Sequence, residues 1–166
     1  NVPETGKPRI SWYAVEGASK YELYQATSKT GTYSKIGTTT DTFIINKSAV
    51  TGKMYYYKVK VVFPDGRESD FSNIVNRTCD LPKPVATLSN VASTGQIQIS
   101  WEAIEGASKY EIWRRFGWSE DFAQVGTTTS TSFIDTSAEV YVDGYYEYTV
   151  RAIHSNSGAN SADSDI

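Results

Sequence analysis

The 166-residue chain has a single cysteine, Cys79, a single histidine, His154, and a single methionine. One cysteine closes no internal disulfide, so whatever folds here is held by its core. A Cys–His nucleophile pair needs both groups together, and Cys79 and His154 lie far apart in sequence. No Cys/His spacing of a zinc site occurs, and no glycine-rich loop of the phosphate-binding kind. The carboxylates Asp65, Asp70, Asp163 and Asp165 supply few oxygens against the six to eight or so that calcium takes, and they read as solvated turn residues. No apolar run approaches the roughly 18 residues that cross a bilayer. Basic residues do not dominate either. The net charge is −3, which opposes the basic face that nucleic acid requires. Catalytic, cofactor-binding and metal-binding residues are therefore all expected to be absent.

What is abundant is tyrosine, with 12 residues, and tyrosine favours strands. The chain also repeats itself. Ile10-Ser11-Trp12 recurs as Ile99-Ser100-Trp101, Gly17-Ala18-Ser19-Lys20-Tyr21-Glu22 as Gly106-Ala107-Ser108-Lys109-Tyr110-Glu111, and Gly37-Thr38-Thr39-Thr40 as Gly126-Thr127-Thr128-Thr129, all at an offset of 89. Farther on the offset is 91, where Tyr55, Tyr57 and Val59 meet Tyr146, Tyr148 and Val150. A period this long marks a duplicated domain rather than a solenoid repeat. Within each copy the apolar residues alternate with polar ones: Ile97, Ile99 and Trp101; Tyr21 and Leu23; Tyr55, Tyr57, Val59, Val61 and Phe63. Such alternation predicts strands with one buried face. Turn residues separate the runs, as at Pro64-Asp65-Gly66, and no helical stripe is present. The two expected cores contain Trp12, Tyr21, Leu23, Val59 and Val61 in one copy and Trp101, Tyr110, Ile112, Val150 and Ala152 in the other.

These residues resemble fibronectin type III modules over essentially the whole chain. Trp12 and Trp101 match the tryptophan buried late in the family's second strand, and Tyr21 and Tyr110 the tyrosine opening its third. Tyr55 and Tyr146 match the tyrosine at the corner before the sixth strand, with Gly52 and Gly144 shortly ahead of it. The wording around Ser11-Trp12 and Tyr55-Tyr56-Tyr57-Lys58-Val59 is most similar to modules of secreted and surface proteins of Gram-positive bacteria. The resemblance implies an all-β chain of two tandem immunoglobulin-like β-sandwiches, residues 1–79 and 80–166. It further implies an extracellular or cell-surface setting.

Both ends depart from the pattern. Asn1-Val2 aligns with Asn90-Val91, so the first copy lacks a counterpart of Leu81 to Ser89, its first strand. Ser164-Asp165-Ile166 aligns with Ser72-Asn73-Ile74, where the last strand begins. The expectation is a fragment cut out of phase with its domains, so that the absence of a leader peptide carries no information. Thr78 to Pro84, with two prolines, reads as a semi-rigid joint. Asn46-Lys47-Ser48 and Asn76-Arg77-Thr78 fit the glycosylation sequon, which is short enough to arise by chance. Asp65-Gly66-Arg67 reverses the order of an integrin-binding tripeptide and is read as a turn.

Function rests on the asymmetry of the copies. Tyr24 becomes Trp113, Gln25-Ala26 becomes Arg114-Arg115, Thr27 becomes Phe116 and Lys29 becomes Trp118. Aromatics beside arginines make binding patches, so Trp113, Arg115, Phe116 and Trp118 are the ligand-binding candidates. The same residues also suit packing over the module's own edge. The expected function is a non-catalytic spacer pair whose partners are other domains of the parent protein. The alternative is a glycan- or protein-binding module that uses those four residues. Neither nucleic acid nor membrane insertion is expected.

Overall fold

A computed structural model describes residues 1–117, 121–139, 145–155 and 159–165. Twelve strands and no helix occur among them. In chain order they are β1 (Arg9–Ser11), β2 (Lys20–Ala26), β3 (Ser34–Thr39), β4 (Phe43–Ile45), β5 (Met54–Val62), β6 (Val75–Thr78), β7 (Ala86–Asn90), β8 (Ile97–Trp101), β9 (Ala107–Phe116), β10 (Ala123–Thr128), β11 (Ser132–Asp135) and β12 (Tyr146–His154). They fall into two compact units, Asn1–Val2 with Gly6–Asp80, and Pro3–Thr5 with Leu81–Ile166. Every strand pairing is antiparallel. The first unit packs the sheet β3-β2-β5-β6 on the pair β1-β4, and the second packs β10-β9-β12 on β11-β8-β7. The chain is thus all-β, two tandem sandwiches of the kind its motifs imply.

The alternating residues build both cores. Ile10, Tyr21, Leu23, Tyr55, Tyr57, Val59 and Val61 are buried together in the first unit, with Trp12 half-buried against them. Ile99, Trp101, Tyr110, Ile112, Tyr148, Val150 and Ala152 form the second core. Tyrosine hydroxyls tie the loops to these cores in the same way twice. Val15 N–H donates to Tyr21 Oη and Ile104 N–H to Tyr110 Oη, both at 2.9 Å. Val50 N–H donates to Tyr55 Oη at 3.0 Å and Glu139 N–H to Tyr146 Oη at 3.3 Å, the corner bond of such sandwiches.

The joint is more committed than its prolines suggest. Cys79 is a fully buried member of the first core and Leu81 of the second, and Pro84 is fully buried. Cys79 N–H donates to Lys53 C=O at 3.0 Å and Gly52 N–H to Cys79 C=O at 2.8 Å, prolonging the β5–β6 pairing.

The segments after β5 and β12 run along those strands through serines rather than through a regular ladder. Val59 and Val61 N–H donate to Ser72 and Ser69 Oγ, at 2.9 and 3.0 Å. Val150 and Ala152 N–H donate to Ser164 and Ser161 Oγ, at 2.9 and 2.8 Å. Two backbone donors of β5 in the first copy and two of β12 in the second are thus satisfied by hydroxyls, as buried amides must be.

Two tests follow from this packing. Trp101→Ala should destabilise the second unit by about 3–5 kcal/mol, read from thermal or denaturant unfolding. Gly126 sits where the β9–β10 register shifts, and a Cβ there would overlap the Phe133 ring. At Gly37 a Cβ would meet only the Ile44 side chain, at 3.1 Å from its Cδ1 methyl, the far end of a side chain that can turn aside. Gly126→Ala should therefore cost about 1–3 kcal/mol and Gly37→Ala clearly less, although the two positions are equivalent in the repeat.

Candidate functional site

The strand pleat divides the sequence candidates between faces. Along β9, Tyr110, Ile112, Arg114 and Phe116 fall on the inward side, and Trp113 and Arg115 fall on the outer side. Phe116 meets the Tyr146 ring edge-on at 5.3 Å between centroids. Trp113 and Arg115 share the outer face, and both are half-buried, as is Phe116. Trp118 lies outside the described residues. The structure thus brings together two of the four and sets Phe116 on the opposite face.

On that outer face the cations lie over aromatic rings. The Arg151 guanidinium is 5.5 Å from the Trp113 ring centroid and binds Asp163 through Nε and Nη2 at 2.7 and 3.0 Å. Arg115 is 4.8 Å from the Phe122 ring centroid and pairs with Glu147. The first unit has an equivalent face. Lys58 and Lys60 lie 3.8 and 4.4 Å from the Phe71 ring centroid, which Tyr24 meets edge-on at 5.0 Å. The Lys35 ammonium at 3.1 Å and the Tyr24 hydroxyl at 2.9 Å hold the buried Glu22 carboxyl below its ordinary pKa. Solvent screening keeps exposed contacts of this kind weak, so that they order a face without carrying the fold.

A recess of about 240 Å³ opens beside Arg115, Phe116, Ala123 and Tyr146. A second, of about 310 Å³, is lined by Phe122, Thr149 and three carboxylates, of which Glu147 is paired with Arg115, Asp163 with Arg151 and Asp165 with Lys83. Among the described residues no group of three or more His, Cys, Asp or Glu could hold a metal ion. Asn46 of the first sequon is buried, and its amide donates to Tyr57 Oη at 2.9 Å, whereas Asn76 of the second is exposed on β6. Burial pushes the Cys79 thiol up from its ordinary pKa.

The sharpest difference between copies is one that inspection of the candidate patch misses. At the centre of the first unit Asn46 binds Gln25, Tyr57 and Ser48. The equivalent residues of the second are Asp135, Arg114, Tyr148 and Ser137. Arg114 Nη1 donates to Asp135 Oδ2 at 2.6 Å, Tyr148 Oη donates to the same oxygen at 2.9 Å, and the Ser137 N–H and hydroxyl donate to Oδ1 at 2.9 and 2.7 Å. A neutral amide network has become an ion pair on a fully buried carboxylate. Burial alone would raise the Asp135 pKa, but the Ser137, Arg114 and Tyr148 donors outweigh it and leave the carboxyl below its ordinary value. Burial first, and Asp135 second, push the Tyr148 phenol well up, whereas burial takes Tyr57 to about 12. The offset of 89 pairs Asn46 with Asp135 and Gln25 with Arg114, and that correlated change is the signal that could have found the site.

No family model matches the chain. A stretch of 75 residues, 45% of the chain, is 39% identical to Amylopullulanase of Thermoanaerobacter thermohydrosulfuricus and covers 5% of that protein's length. Among solved structures, a cytokine receptor complex is similar at 15% identity and a TM-score of 0.47, covering 95% of this chain and 93% of that one. A two-domain fibronectin type III segment of chicken tenascin is similar at 14% identity and a TM-score of 0.46, covering 98% and 91%. No helix among the described residues is long and apolar enough to cross a membrane.

The polar centre of the second unit predicts a pH dependence. A depressed carboxylate pKa stabilises the fold above the unfolded value of about 3.9 and stops doing so as pH falls through the folded value. Asp135→Asn alone should cost about 1–3 kcal/mol at pH 7, because Arg114 loses its counter-charge. The pair Arg114→Gln with Asp135→Asn, which transplants the first unit's network, should recover most of that loss. It should also flatten the acid dependence of the second unit's melting between pH 5 and pH 2, about the range over which such a carboxylate titrates.

Proposed function

We propose that this chain is a non-catalytic pair of structural modules spacing other domains of a larger secreted or cell-surface protein. The observation that carries this reading is that the prominent charged and aromatic groups of both units engage partners in their own unit: Lys58 and Lys60 on Phe71, Arg151 on Trp113 and Asp163, Arg114 on Asp135. General acid–base and nucleophilic catalysis need paired groups left available to substrate, and among the described residues neither copy shows such a pair. The similarity to a stretch making up a small part of an amylopullulanase fits a module carried within a longer chain.

A second reading is favoured by the asymmetry of the copies. Of the aromatic and arginine residues gained by the second, Trp113 and Arg115 share the outer face and would give a glycan or protein partner apolar area beside a cation, whereas Phe116 turns to the inner side beside the recess at Arg115 and Trp118 enters this reading by its sequence alone.

Calorimetric titration of the full chain against soluble polysaccharides, pullulan among them, and against wall polymers separates the two. The spacer reading expects no heat of binding and no turnover. It also expects Trp113→Ala to lower stability by about 1–3 kcal/mol through lost packing. Saturable binding that Trp118→Ala weakens by more than about 1 kcal/mol, with melting unchanged, would replace it with the binding reading.

A further inference from the structure

The outer face of the larger sheet differs in charge between the two copies. In the first unit Tyr21, Leu23, Val59 and Val61 turn into the core, so the alternate residues Lys20, Glu22 and Tyr24 of β2 and Lys58 and Lys60 of β5 turn outward. Lys58 lies opposite Tyr24 and Lys60 opposite Glu22, and Lys35 of β3 lies opposite Tyr24 on its other side. At the offset of 91, Lys60 becomes Arg151 and Lys58 becomes Thr149. The residue ahead of the second serine in the following segment also changes, from Phe71 to Asp163. Asp163 gives Arg151 a carboxylate, through bonds of 2.7 and 3.0 Å. Phe71 gives Lys58 and Lys60 a ring instead, at 3.8 and 4.4 Å from its centroid.

The lysines of this face are not equally compensated. Lys60 pairs with Glu68 at 2.8 Å and Lys35 with Glu22 at 3.1 Å. Lys58 lies 4.3 Å from the Tyr33 ring centroid as well as 3.8 Å from that of Phe71, and has no ion pair among the described residues. An aromatic ring fixes an ammonium in place and does not neutralise it. Lys58 is therefore a positioned cation without a counter-charge, beside a second cation on the same ring. Its surroundings reinforce this, because lysine and arginine outnumber aspartate and glutamate in residues 1–80 and the reverse holds in residues 81–166.

We propose that this face of the first unit docks an extended acidic peptide segment of another polypeptide, with carboxylates at alternate positions meeting Lys58 and Lys60. Same-face residues of a strand repeat at about 6.6 Å, which is also the spacing of alternate side chains in an extended peptide. The exposed Lys20 and Lys35 flank the pair and widen the positive field. The Phe71 ring is engaged by two ammonium groups and by the edge of Tyr24, so the face offers spaced charge rather than a ring for a sugar to stack on. Lysines are compact point charges that accept a carboxylate from many directions, which suits acids arriving on a flexible chain. Single exposed ion pairs are weak, so the carboxylates act together and binding falls as salt rises. Docking here is independent of the spacer role, and its failure would leave that role standing.

The test titrates the full chain, isotope-labelled and at low ionic strength, with synthetic threonine peptides of equal length and equal glutamate content. One carries glutamate at every second position and the other at every third, which sends successive carboxylates to opposite sides of an extended chain. Saturable shifts of the Lys58 and Lys60 side chains are expected with the first peptide, and binding at least about fivefold weaker with the second. The glutamine analogue of the first should not bind. Lys58→Thr, which installs the second unit's residue, should weaken binding at least about fivefold and leave melting nearly unchanged. Phe71→Asp should remove the shifts, by giving the lysines the internal carboxylate that Asp163 gives Arg151. The proposal is overturned by an absence of shifts at several millimolar of the first peptide, by equal binding of the two glutamate peptides, or by parent-like binding in either variant. It is overturned equally if sedimentation shows a concentration-dependent dimer that engages Lys58 without peptide, since a second copy would then cover the face.

Discussion

At the centre of each sandwich a tyrosine hydroxyl is cut off from water, and much of the polar architecture follows from giving it a partner. Tyr57 and Tyr148 are essentially inaccessible, and they sit mid-strand on β5 and β12, the strands that carry the inward alternation. A buried hydroxyl without a hydrogen bond would cost a few kcal/mol, so the residue opposite cannot be apolar. Asn46 and Asp135 fill that place, and each is fixed in turn by a serine two residues on. The two copies solve one problem with different electrostatics. An amide needs only dipoles around it, whereas a carboxylate needs a cation and recruits Arg114 from β9.

The same economy governs the edges. With no disulfide available, each unit must satisfy its strand backbones wherever the ladder stops. After β5 and β12 the hydroxyls of Ser69, Ser72, Ser161 and Ser164 take the amides that a regular partner strand would have taken. The segment is held at spaced points, and its intervening side chains turn outward. Phe71 reaches the lysines of β5 in this way, and Asp163 reaches Arg151 of β12. A hydrogen-bonding requirement inside the sandwich thereby sets the pattern of cations and partners on its outer face.

Much of this was legible in the sequence, because period-two alternation and a duplicated module are both one-dimensional signals. Tyr21, Leu23, Val59, Val61, Trp101, Tyr110, Ile112, Val150 and Ala152 are all core residues, as their spacing requires. What was not legible depends on which face a residue takes near a strand end. Arg114 and Arg115 are neighbours of equal chemistry, and only the pleat sends one to Asp135 and the other to Glu147. Phe116, grouped by composition with Trp113, turns inward to Tyr146. Cys79 and Leu81, read as joint residues because prolines follow, are core residues, since a strand that continues past its last regular pair leaves no mark in composition.

Duplication makes each copy a reference for the other. The exchange of Asn46 and Gln25 for Asp135 and Arg114 is compensated: a charge gained on β11 is met by one gained on β9, and the burial around it is kept. A compensated change of this kind alters the electrostatics of the interior and leaves the outside of the module as it was, which suits a spacer.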